Sequence, residues 1–185
     1  MHTRHHALLQ LTQQVDALIS CVRAVDAETL PVYSLWTAKD VLCHLTFWHE
    51  SFARNLHAVA HQQKPSPLKG TLTTLNQQGV DELRGNSVDT LVGRLLAAHA
   101  CIQASILDPI LGLIPYRRGS RPYTPGEHLE IVRAHIQKHT GDIYSAQSRS
   151  ASASASKTHL PASTPPASSP SRPNPGMQRT RYARR

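Results

Sequence analysis

Residues 133–143 read RAHIQKHTGDI, with His135 and His139 four apart in a stretch of helical pattern. Side chains four apart lie one turn apart on one helix face, so both imidazoles can reach a single point. Neutral imidazoles gathered this way offer lone pairs to a divalent cation, and rings that titrate near neutrality move protons. At about 100° per residue, His128, Val132, His135 and His139 share a narrow sector, with Ile131, Ile136 and Ile143 at its margins. The histidines therefore sit in the middle of the face the helix must bury. His128 is about 10 Å from His135 along the axis, too far to join the pair. A third imidazole comes from an earlier segment: His44 lies three residues after Val41 and four before Trp48, on the same apolar stripe as both. Three buried imidazoles without partners are costly. A cation uses their lone pairs, and three nitrogen ligands leave coordination positions open for water or substrate.

The residues alone leave a plainer reading open. One histidine on a buried face is ordinarily a satisfied core residue, and a pair at this spacing arises by chance in a chain with 12 histidines. His99 competes for a place in the interior, whereas His49, His57 and His61 read as surface residues. Cys21, Cys43 and Cys101 form no zinc-ribbon spacing and stand beside no cap or cluster that would activate a thiol. Cys43 points about 100° away from His44 on the same helix.

Four long helices and one short one have to position these groups. The first is read over about Arg4 to Glu28, with Leu8, Leu11, Val15, Leu18, Val22 and Val25 as its buried stripe. The second starts after Thr37, an N-cap that Asp40 can close into a capping box, and buries Val41, Leu45, Trp48, Phe52, Leu56 and Val59. A short helix covers about Leu72 to Arg84. The next follows the N-cap Ser87 and runs to about Leu107. The last opens on TPGE, with Thr124 as N-cap, Pro125 in the first turn and Glu127 at the third position, and continues to about Tyr144. Only the IPYRRG region suggests extended chain. The expected fold is all-α, an up-and-down four-helix bundle, since packing together buries four one-sided stripes.

The 185-residue chain divides by composition into a 1–144 bundle and a 145–185 tail rich in Ser, Ala, Pro and Arg, which is expected to be disordered. Charge follows the same boundary. The chain carries a formal +8, yet residues 1–144 hold 13 basic and 12 acidic side chains. A near-neutral fold argues against specific nucleic-acid binding, which draws its affinity from cationic side chains. No apolar run is long enough to cross a membrane. Reduced cysteines and a polar N-terminus point to a cytoplasmic protein.

LWTAKDVLCHLTFWHESFARNL resembles the second-helix segment of the DinB-like four-helix bundle superfamily (DinB/YfiT), with a tryptophan-led turn, a polar cap, an aliphatic pair and a histidine. EHLEIVRAHIQKHTGDI is similar to that superfamily's last helix. The segment LNQQGVDELRGNSVDTLVGRLLAAHACIQASI resembles the region between them, the ClbS/DfsB branch in particular. The likeness covers about residues 7–144. It implies a bundle, often a homodimer, with a divalent metal ion, zinc or nickel, held by His44, His135 and His139. It further implies a small-molecule substrate and a metal-dependent thiol transfer or hydrolysis of a reactive metabolite. The alternative is a metal-free ClbS-like protein that binds or hydrolyses a genotoxic metabolite. Asn76, Tyr116, Arg117 and Tyr123 are candidates to assist, although loop position alone makes ordinary surface the plainer reading of each.

Overall fold

The computed structural model describes residues 2–158. Five helices build it: α1 (His2–Arg23), α2 (Ala38–Ala60), α3 (Leu72–Leu83), α4 (Val88–Ser105) and α5 (Pro125–Thr158). Their starts follow the local chemistry read from the sequence. Thr37 Oγ1 accepts from the Asp40 amide at 3.3 Å while Asp40 Oδ2 accepts from the Thr37 amide at 3.0 Å, closing the capping box of α2. Thr124 and Glu127 close the equivalent box at α5, with bonds of 2.8 and 3.3 Å. Thr71 caps α3 and Ser87 caps α4 through their hydroxyls.

The expected stripes form one core. Leu11, Val15 and Leu18 of α1 meet Val41, Leu45, Trp48 and Phe52 of α2, Leu91, Leu95 and Ile102 of α4, and Leu129, Ile136 and Ile143 of α5. Among the described residues the extended chain amounts to three isolated bridges, and the IPYRRG region supplies two of them, Ile114 with Tyr123 and Leu68 with Arg117.

The long helices do not simply alternate in direction. The amide of Ala38 donates to Leu30 O at 3.0 Å, so α2 starts where α1 ends and runs back along it. Arg84, just ahead of α4, pairs with Asp40 near the start of α2, and Arg94 inside α4 pairs with Glu50 further along α2. α4 is therefore parallel to α2, returned to the start of α2 by a crossover through α3. α5 is antiparallel to α2, because its His128 stacks on Phe52 while its later His135 meets His44. Gly79 of α3 lets the crossover press on α2, since a Cβ there would lie 2.7 Å from the Phe47 ring.

Two boundaries differ from expectation. α1 ends at Arg23, and residues 24–30 turn so that Asp26 O accepts the Leu30 amide at 2.9 Å. α5 does not stop near Tyr144 but continues to Thr158. The added segment is rich in alanine, a strong helix former, and Ser145 and Ser148 return their hydroxyls to the carbonyls of Gly141 and Tyr144. Ala146 is buried against the core. The helical segment thus takes in the first part of the expected 145–185 tail, and residues 159–185 lie outside the described residues.

Candidate metal centre

α2 and α5 bring the three expected ligands together. His44, His135 and His139 each direct one ring nitrogen toward a common point, with all three atoms within 4.8 Å of one another. His44 Nε2 and His135 Nε2 meet at 2.8 Å. The ring centroids stand 4.8 Å apart for His44 and His135, 5.1 Å for His44 and His139, and 4.8 Å for His135 and His139. His44 is held by a rigid start of helix. One turn before it, Asp40 closes the cap and also accepts from Arg84 Nε at 2.8 Å, which ties α2 to the end of α3.

Burial keeps the triad neutral. It pushes His44 down to about 2, helped by any charge on His135 and His139. Burial is also the main cause that takes His135 and His139 to about 4. Neutral imidazoles carry the lone pairs a metal needs, so the donor set is ready at neutral pH. No carboxylate enters the cluster. Three nitrogen donors suit zinc or nickel and do not suit calcium or magnesium, which favour oxygen. By type, spacing and protonation the residues fit a divalent ion.

The loop between α1 and α2 covers this cluster. The amides of Val32 and Tyr33 both donate to Trp36 O at 3.0 Å, and Pro31 bridges to Thr37, so the chain folds into a tight flap. One side of the flap lays the Trp36 ring 5.2 Å from that of His44. The other brings Tyr33 Oη to 2.7 Å from His139 Nδ1, where Tyr33 also donates to Asp142 Oδ2. Lys138 Nζ donates to the same carboxylate oxygen at 2.7 Å. Burial first, and then the bond to Asp142, raises Tyr33 well above the usual phenol range. It stays a protonated donor.

No protein-family model matches the chain, and no curated protein matches it in sequence. The likeness lies in the fold. The structure is similar to the crystal structure of the mycothiol-dependent maleylpyruvate isomerase, with a TM-score of 0.62 at 11% identity over 76% of this chain and 60% of that one. A histidine-to-alanine variant of the same enzyme matches with a TM-score of 0.62 at 10% identity over the same shares. That enzyme has the DinB/YfiT-like fold, and the match favours no branch within it. This chain spans 60% of the isomerase's length.

The candidate assisting residues divide. Asn76 accepts from Trp48 Nε1 at 3.0 Å, and Tyr116 stacks on Trp48 at 5.0 Å and 15°. Both therefore brace a ring one turn beyond His44 on α2. Tyr123 packs edge-on against Tyr116 with the Arg121 guanidinium 4.2 Å over its ring. Arg117 Nη1 donates to Gly70 O at 3.0 Å, a loop contact.

The other histidines divide as well. His57 and His61 are exposed, as expected. His49 is not a surface residue but only 1% exposed, because the parallel packing of α4 covers the face of α2 that carries it. Its Nε2 lies 3.2 Å from Nδ1 of the buried His99, whose Nε2 lies 2.9 Å from Thr12 Oγ1. The Thr12 hydroxyl itself donates to Leu8 O at 3.1 Å. His99 is thus interior but separate from the triad. Trp36 entered the sequence reading only as the head of the turn before α2, and Tyr33 carried no sequence signal, since the place of both over the cluster depends on how the loop folds back. Asp142 carried one, its position three after His139 on the same helix.

Proposed function

We propose that the chain binds one divalent metal ion, zinc or nickel, through His44, His135 and His139, and uses it to transfer a thiol to, or hydrolyse, a small reactive metabolite. The observation that carries the reading is the convergence of three neutral ring nitrogens from two helices on one point. The fold's likeness to an isomerase that depends on a small thiol supports the choice of chemistry. A bound ion supplies Lewis acidity, which makes a water or thiol nucleophilic near neutral pH. The chain's own part is to keep the imidazoles unprotonated, to shield them with Trp36, and to hold the Trp48 and Tyr116 rings one turn away. Zinc-loaded chain should accelerate the reaction of a low-molecular-weight thiol with an electrophile, or the hydrolysis of a strained electrophile, and His135→Ala should abolish that rate. Equal rates for the two proteins would remove the reading.

A second reading draws on the 2.8 Å contact between His44 and His135, which satisfies both nitrogens with one proton and no ion. The protein is then a metal-free, ClbS-like binder or hydrolase of a genotoxic metabolite. Activity that survives exhaustive chelation selects this reading over the first.

A further inference from the structure

The Tyr33 hydroxyl has one proton and three polar partners that differ in kind: Lys138 Nζ, 3.5 Å away, can only donate to its oxygen, which leaves Asp142 and His139 as the groups that could take the proton. The Asp142 carboxylate can only accept, and it already accepts from Lys138 at 2.7 Å. The Tyr33 proton therefore goes to Asp142. Its oxygen is left to accept, and the group facing it at 2.7 Å is His139 Nδ1. That nitrogen must carry the hydrogen. A neutral imidazole has only one N–H, so His139 Nε2 is bare, on the side of the ring away from Tyr33. His44 has no comparable support, since its Nδ1 is buried without a partner.

We infer that Tyr33 and Asp142 are positioning residues that lock His139 in the Nδ1–H tautomer, with its Nε2 lone pair presented to the triad before any ion arrives. Their role in metal affinity rests on the metal-binding reading above; the tautomer does not. Outer partners of this kind fix ring orientation and raise ligand basicity, and losing one costs about 10–100-fold in metal affinity. Lys138 closes the outer end of the chain by pairing with Asp142 one turn away, with a side-chain exposure of 64% for the lysine and 33% for the aspartate. The chain of groups thus runs from the centre to solvent: His139, Tyr33, Asp142, Lys138.

The test uses the full chain, free of metal and labelled with ¹⁵N at histidine, with His139 assigned by its loss in His139→Ala. Long-range ¹H–¹⁵N correlation should show Nδ1 protonated and Nε2 bare. In Asp142→Ala the hydroxyl is free to donate to Nδ1, and the spectrum should move toward the Nε2–H form. Tyr33→Phe, which keeps the ring, should give a mixture of tautomers. Cobalt(II) affinity by chelator competition should fall about 10–100-fold in both variants. An Nε2–H tautomer in the wild-type chain overturns the inference, as does an unchanged Nδ1–H signal in both variants. If wild-type protein takes up no cobalt at all, the metal reading fails, and the spectrum of the metal-free chain still decides the positioning claim.

Discussion

At the scale of single residues, burial holds the triad unprotonated. An exposed imidazole titrates near 6.5 and gives up metal as the solution turns acidic. Here the rings are held at about 2 for His44 and about 4 for His135 and His139. On the proposed reading, protons would therefore not compete with a bound ion until well below pH 5. Cobalt(II) affinity should change little between pH 7.5 and 5.5, whereas three ordinary imidazoles would lose about a thousandfold over that same window. A steep loss in that window, measured by competition titration, would show that the rings are solvated. His44, His135 and His139 were legible in the sequence because helix periodicity fixes which residues share a buried face. Their helpers were less so. Tyr33 reaches His139 only through a flap whose hydrogen bonds converge on Trp36 O, and no spacing rule predicts that closure. His49 was misplaced for a related reason: periodicity gives a residue's direction on α2 but not which neighbour covers it.

At the scale of elements, the helix starts were the most legible feature. Thr37 with Asp40 and Thr124 with Glu127 form capping boxes at the spacings the sequence shows. Thr37→Ala should cost about 1 kcal/mol of stability and loosen the turn that leads into His44. The ends were harder. Serine and alanine after Tyr144 read compositionally as a tail, but once α5 docks, Ala146 finds a core to enter and the helix propagates beyond it. The direction of α4 was also hidden, because a stripe records that a face is buried and not which way its helix runs. The crossover that sets this direction depends on Gly79, where backbone and the Phe47 ring come together. Gly79→Ala should push α3 off α2 and lower stability by about 1–3 kcal/mol, with a matching fall in the urea midpoint. Because α3 carries Asn76, the same variant should disturb the Trp48 ring, seen as a change in tryptophan fluorescence. An unchanged midpoint and spectrum would mean that the helices can separate there without cost.

At the scale of the whole molecule, the interior holds more titratable nitrogen than a bundle of this size needs for packing. Burial lowers His49 to about 3 and His128 to about 4, in addition to the triad. Each is neutral in the folded chain and ordinary in the unfolded one. Below pH 6.5 the unfolded chain binds protons that the folded chain refuses, so stability is complete above that point and falls as pH drops toward 4. A group held near 4 contributes about 3 kcal/mol to that loss. Urea unfolding of the metal-free chain should show midpoints that hold level from pH 7.5 to about 6.5 and decline steadily from there to pH 5, and a profile flat down to pH 5 would contradict the burial of these rings. Zinc in excess should raise the melting temperature at pH 7.5 by mass action, since the unfolded chain has no assembled site. The central claim, that rings from α2 and α5 share one ion, is tested most directly by elemental analysis of the purified full chain beside His44→Ala and His139→Ala. One zinc or nickel per wild-type chain and none in either variant is the expected result; no metal in the wild type, or an unchanged stoichiometry in the variants, contradicts it.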